Sequence, residues 1–298
     1  MDIKEFGLVM KREVGDILGD GYDISFRDVE KNNGIIRHAL VIRKEDHSVA
    51  PTIYIDDHYR QYERGAMLMM LASDVVKIFR QSSSCFTADM DFFCDFSKVA
   101  GKLFFKVVNY DKNKRKLRDI PIKRVLDMAL VSACRVMSES MGDGSITIRN
   151  EHIAMWEISE EELWENVVEN AARVAPVKVS GLMDMMDELI PASERGDEAC
   201  GIYVATNTSM YLGAGVIFYP DMLKELADYH ESDLFIIPSS VHETLIIPDT
   251  NMIMDIESLR EMIREVNRTA VADEEILSDN LYVYERENGS LFIAREKD

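Results

Sequence analysis

Residues 22–44, YDISFRDVEKNNGIIRHALVIRK, hold two alternating runs rich in β-branched and aromatic residues on either side of Asn32-Asn33-Gly34. Asparagine and glycine accept positive φ at little cost, so this pattern predicts a tight antiparallel hairpin. The same device recurs twice. Residues 281–294, LYVYERENGSLFIA, turn at Glu287-Asn288-Gly289, and two further apolar runs flank Gly142-Asp143-Gly144. Hairpins join sequential strands antiparallel, and no glycine-rich βαβ fingerprint follows any strand. The reading is therefore an α+β fold of mixed helices and mainly antiparallel sheets, not a doubly wound parallel sheet.

Working outward, Ile3, Phe6, Val9, Met10, Val14, Ile17 and Leu18 follow helical spacing and predict an opening amphipathic helix that stops near Gly19. TIYI (52–55) and KLFFKVVNY (102–110) read as strands, and residues 56–81 as one long helix. Ser159 is an expected N-cap, with Glu160, Glu161 and Glu162 in the first turn, where the helix dipole favours anions. A short helix is expected at 183–189, before a polar loop at 192–200. The last hundred residues alternate: strands at 202–207, 213–220, 234–240 and 243–249, helices at 221–230 and 256–268.

The chain of 298 residues carries 34 Lys and Arg against 54 Asp and Glu, a net charge of −20. Residues 1–124 hold 22 basic and 19 acidic side chains, residues 125–298 only 12 against 35. The expected organisation is thus a near-neutral lobe over 1–124 and a strongly acidic lobe over 125–298, joined through the basic, proline-containing run 111–124. The acidic half should repel nucleic acid and anionic membrane, and a basic protein is its natural partner. DNA mimicry is the sharper form of that expectation. The basic run could touch phosphate, but only Tyr110 lies near it as an aromatic, so a connecting role is favoured.

Four widely spaced cysteines without a CxxC pair predict reduced, buried thiols. Charges interrupt the first apolar positions, which excludes a signal peptide, and the longest apolar stretch, 66–72, is too short to span a bilayer. A cytoplasmic location is expected. Neither a Walker loop nor GxGxxG is present, so no cofactor is indicated.

The most suggestive chemistry lies in PSSVHETLIIPD (238–249). Ser239, Ser240, His242, Glu243 and Asp249 supply the hydroxyl, base and carboxylate that a hydrolytic site needs. In a strand over 242–247, however, His242 and Glu243 point to opposite faces. A polar turn followed by a strand accounts for the same residues. In ADYHESD (227–233), His230, Glu231 and Asp233 are metal-ligating types, with His242 and Glu243 as further candidates. HExxH is absent, and a histidine at a helix end also suits the dipole without metal. DTNMIMD (249–255) lacks the glycine and oxygen donors of a calcium loop. Trp156, Trp164 and the methionines at 67, 69, 70, 183, 185 and 186 read first as core, and second as interface.

Six phrases together resemble an uncharacterised bacterial family, domain of unknown function 5688, related to another numbered 1444. They are KNNGI (31–35), APTIYIDDHYRQYERG (50–65), VNYDKNK (108–114), EHIAMWEISEEELWENVVENA (151–171), IIPSSVHETLIIPD (236–249) and EMIREVNRTAVADEEILSDNLYVYER (261–286). The resemblance implies a bacterial, soluble, cytosolic protein and supplies no activity. Two readings follow from the residues. The leading one is a non-catalytic module that binds a basic protein through its acidic half; the alternative is a hydrolase or metal-dependent enzyme centred on His242.

Overall fold

The hairpin at Asn32-Asn33-Gly34 forms as its sequence requires: Asn33 and Gly34 take φ of 59° and 73°. Around it β1 (Tyr22–Glu30) pairs antiparallel with β2 (Ile36–Lys44) along its whole length. The structure, a computed structural model, describes residues 1–44, 50–83, 90–138, 142–187, 201–238, 240–250 and 255–294. Two compact units make up the chain, Met1–Asp89 with Met137–Gly144, and Met90–Val136 with Ser145–Asp298.

In the first unit α1 (Ile3–Leu18) starts from a capping box on Asp2 and ends at Gly19. It lies on a sheet of order β1-β2-β3, β3 being Thr52–Tyr54. Phe6, Met10 and Val14 on α1 meet Leu40 and Ile42 in the core. The contact is close: a Cβ added at Gly7 would come within 2.3 Å of the Phe26 ring. The expected helix over 56–81 is two helices, α2 (Asp56–Glu63) and α3 (Leu68–Ser83). The break falls at Gly65, whose φ of 95° no right-handed helix allows. The methionines at this break are not core. Met67, Met69 and Met70 are 65%, 71% and 63% exposed.

The second unit begins with a 3-10 turn (Met90–Cys94) and α4 (Phe96–Val99) and holds two sheets. In the first, β6 (Met128–Ser138) pairs with β4 (Leu103–Asn109), with β5 (Ile122–Val125) and with β7 (Gly142–Thr147), residues 137–138 and 142–144 counting with the first unit. The expected connection over 111–124 instead holds α5 (Tyr110–Asn113), a 3-10 turn (Lys116–Asp119) and β5, which pairs with β6 in this sheet. The first unit runs to Asp89 and takes in Met137–Gly144 as well. Counted by unit, the second carries 22 basic and 37 acidic residues, so the basic run shares a body with the acidic helices.

Next come α6 (Asn150–Trp156) and α7 (Glu160–Val174), the latter capped by Ser159 Oγ accepting the Glu162 amide at 3.0 Å. Such a cap is worth about 1 kcal/mol. Leu163, Trp164, Val167 and Ala171 bury one face of α7, and Trp156 is buried with its indole N–H donating to Phe93 O at 2.8 Å. The tryptophans close the core.

The remaining strands form the order β13-β12-β10-β11-β9-β8, every described pairing antiparallel. Here β8 is Val177–Gly181, followed by α8 (Leu182–Asp187), β9 is Tyr203–Asn207 and α9 is Met222–His230. Then follow β10 (Leu234–Ile237), β11 (Thr244–Pro248), α10 (Ile256–Thr269), β12 (Tyr282–Glu285) and β13 (Ser290–Ile293). The strand expected at 213–220 is a buried 3-10 turn, Gly213–Phe218, wedged against β9 and β4. Glycine permits that approach: a Cβ at Gly213 would lie 2.6 Å from Asn207 N and 2.8 Å from His242 O. Helices α6 and α9 end on left-handed residues that are not glycine, Glu157 (φ 57°) and Glu231 (φ 54°). Among the described residues no helix is long and apolar enough to cross a membrane. Cys94 and Cys134 are free thiols, Cys134 buried and pushed up to about 11 by that burial, Cys94 exposed. Cys85, Cys200 and the loop 192–200 lie outside the described residues.

Candidate functional site

His242 sits just before β11 and is held from three sides. Its carbonyl accepts the Thr206 hydroxyl at 2.7 Å and the Gly213 amide at 3.0 Å. Its Nδ1 accepts the Leu212 amide at 3.1 Å, and its ring lies 5.4 Å from that of Tyr211. The loop supplying these groups is strained, with Met210 and Leu212 at φ of 55° and 53°. Asn207 fixes it, its Oδ1 accepting Ser209 N–H and its Nδ2 donating to Tyr211 O.

A backbone amide can only donate, so Nδ1 is an acceptor and the neutral ring carries its proton on Nε2. That nitrogen lies 3.4 Å from Glu275 Oε1. Ser240 faces elsewhere. It is 5% exposed, and its Oγ accepts the His242 backbone amide at 3.0 Å. A serine nucleophile needs an imidazole nitrogen free to take its proton, and both His242 nitrogens are engaged with other groups. The structure therefore brings Ser240, His242 and Glu243 into one neighbourhood without assembling a serine–histidine pair. Burial pushes the Glu243 carboxyl up, His242 and the Ser240 hydroxyl pull it partly back, and Glu275 adds to the rise. Asp249 is exposed beyond β11, its amide donating to Asp233 O. Ser239 lies outside the described residues.

The residues around His230 do not converge either. His230 packs between Tyr203 (4.8 Å) and Tyr229 (4.9 Å), its Nε2 is buried without a hydrogen-bond partner, and burial holds its pKa below 6.5. Glu231 is the left-handed cap after α9. Asp233 accepts the Arg286 amide at 2.9 Å, and Asp228 binds Lys224 and the Arg286 guanidinium. With the carboxylates spent on cations and amides, no group of three metal-binding side chains exists among the described residues.

Two features emerge that residue patterns near His242 did not suggest. Asp127, in the turn between β5 and β6, accepts Ser278 Oγ at 2.7 Å, Asn280 Nδ2 at 2.9 Å and the Tyr282 hydroxyl. These partners lie more than 150 residues away, so no local signal marks them. The second feature is the outer face of α7. At about 100° per residue, Glu161, Glu162, Glu165 and Glu169 fall within an arc of about 100°, opposite the buried stripe. None of the four has an ion-pair partner among the described residues. On α10, by contrast, Glu257 pairs with Arg260 and Arg264, and Glu265 with Arg268.

Over residues 3–286 the chain matches a family described as Family of unknown function (DUF5688). No curated protein and no solved structure matches it.

Proposed function

The chain belongs to this family of unknown function, and from its own residues we propose that it is a non-catalytic, bacterial cytosolic module that binds a basic protein through its acidic surface. The uncompensated carboxylate face of α7 carries the reading. Glu161, Glu165 and Glu169 are like charges four residues apart, each pair opposing the helix by about 0.2–0.5 kcal/mol. Glu165 and Glu169 lie beyond the first turn, where the dipole no longer rewards them. A surface needed only for solubility could be laced with ion pairs, as α10 is. The four carboxylates span about 12 Å of helix, one per about 4 Å, close to the 3.4 Å per phosphate of a single DNA strand. That density supports mimicry of one strand rather than of a whole duplex.

The test is capture from native cytosol with the tagged wild-type protein beside a variant carrying Glu161→Gln, Glu162→Gln, Glu165→Gln and Glu169→Gln. A basic protein held by the wild type, released by salt and missing from the variant is the expected result. Equal capture by both proteins, or none by the wild type at low salt, would remove the reading. The enzyme reading centred on His242 has weaker support, since its ring nitrogens are already engaged.

A further inference from the structure

Residues 110–127 leave the end of β4 and return to the start of β6, and their ends are tied together. Asn109 stands opposite Met128, and the Tyr110 amide donates to Asp127 O at 2.9 Å. The excursion has its own small core, in which Leu117, Ala129 and Val131 are joined by Val108, Tyr110, Ile120 and Ile122. Its polar frame is equally fixed. Asn109 caps α5 through the Lys112 amide (2.9 Å), donates to Leu277 O (3.0 Å) and accepts Asn113 Nδ2 (2.8 Å).

Seven of the thirteen residues 112–124 are Lys or Arg. Of the three acids between 110 and 127, Asp111 is paired with Lys114 at 2.6 Å, Asp127 turns to Ser278, Asn280 and Tyr282, and Asp119 is left as an exposed carboxylate beside Arg118. Lys112, Arg118, Lys123 and Arg124 are exposed. The Arg124 guanidinium lies 4.2 Å over the Tyr110 ring, and its Nε donates to Leu126 O at 3.3 Å. A flexible linker would leave these cations scattered; here a folded platform displays them on one short stretch.

We propose that this excursion binds the phosphate backbone of single-stranded nucleic acid without reading its bases. Cations on a fixed scaffold lose little freedom when they neutralise phosphates, and a guanidinium fits a phosphate through two parallel hydrogen bonds. A narrow ligand is required because the unit as a whole is acidic. Lys123 Nζ lies 5.1 Å over Trp164, on the buried side of α7, and at about 100° per residue Glu162, Glu165 and Glu169 point about 100–160° away from that side chain. A single strand stays within about one Debye length of the excursion, whereas a membrane or duplex brings the acidic faces close. This proposal uses none of the α7 carboxylates and stands apart from the reading above.

The experiment is fluorescence anisotropy of a labelled oligothymidylate with the full chain across a salt series, repeated with the double variant Lys112→Gln, Arg118→Gln. Both side chains are exposed, and an unchanged melting midpoint verifies the variant's fold. The wild type is expected to bind, with affinity falling as salt rises. The double variant should lower the slope of log K against log salt by about 1.4, or about 0.7 per cation removed. The α7 glutamine variant should bind at least as well as the wild type, which separates failure of this idea from failure of the previous one. No binding across the series, an unaltered slope in the double variant, or equal binding of polyglutamate, duplex or phosphatidylserine vesicles would overturn it.

Discussion

His242 Nδ1 accepts the amide proton of Leu212, and this one hydrogen bond sets which nitrogen of the ring keeps its own proton. Because Leu212 holds a left-handed φ, the contact anchors a strained loop rather than preparing a base. His242→Ala should therefore cost stability, about 1–3 kcal/mol from the orphaned amide, while leaving partner capture intact. His242→Asn, whose amide oxygen can take the place of Nδ1, should recover part of the loss. Denaturant midpoints of the three proteins decide the matter, and an undiminished midpoint in the alanine variant would refute the anchoring role.

Glu243 makes stability depend on pH in a definite direction. Burial raises its pKa above the ordinary 4.5, so below that value its carboxyl is protonated in both folded and unfolded chains and its contribution is complete. As pH rises from there through the raised folded value, the unfolded chain has already released its proton and stability declines. Glu243→Gln, neutral throughout, should flatten that decline. Unfolding midpoints at a series of pH values from 4.5 upward test this, and parallel curves for the two proteins would contradict it.

Gly213 has no room for a side chain. A Cβ there meets Thr206 Oγ1 at 2.3 Å and two backbone atoms, Asn207 N and His242 O, inside 3.0 Å. Backbone cannot swing aside as a side-chain tip can, so Gly213→Ala should destabilise by about 1–3 kcal/mol. At Gly215 the nearest atom is a Phe105 ring carbon at 3.2 Å, and the same substitution should cost less. Melting temperatures in the reverse order would show that the 3-10 turn relaxes more easily than its contacts indicate.

Asp127 joins the β5–β6 turn to the start of β12 and the residues just before it by three accepted hydrogen bonds. Its replacement by alanine leaves three donors without their acceptor, one of them on the fully buried Tyr282. A loss of about 3 kcal/mol or more is expected for Asp127→Ala, and about 1–2 kcal/mol for Tyr282→Phe, which removes one bond of the set. If both variants unfold at the same denaturant concentration as wild type, the junction contributes nothing.

Much of this architecture was legible wherever the physics is local. Asn33 and Gly34 announce their turn by the φ they tolerate, and Ser159 announces a helix start with Glu160, Glu161 and Glu162 in its first turn. Residues 213–220 misled because an apolar run reads as strand unless one knows that Gly213 and Gly215 must touch backbone and ring from other elements. The 56–81 helix misled because apolar spacing continues past Gly65, whose positive φ divides the segment. Around His242 the residue types were visible, but Leu212 and Glu275 lie 30 and 33 positions away along the chain. Asp127 and Tyr282 are farther still. Contacts of that separation are created by the sheet order and leave no trace in spacing. The basic run hides a hairpin of another kind: β5 pairs with β6 three to nine residues on, through a turn in which Leu126, not glycine or asparagine, holds the positive φ.

Glu157 and Glu231 close α6 and α9 in a conformation that glycine adopts freely and that costs other residues about 1 kcal/mol. Each also sets a carboxylate against the negative end of its helix, a further penalty of about 0.3–1 kcal/mol. Glycine at both positions would give a hardier molecule with two fewer negative charges. Heat tolerance and acidity are thus opposed in this chain, and a lineage selected for thermal robustness alone would shed these glutamates early.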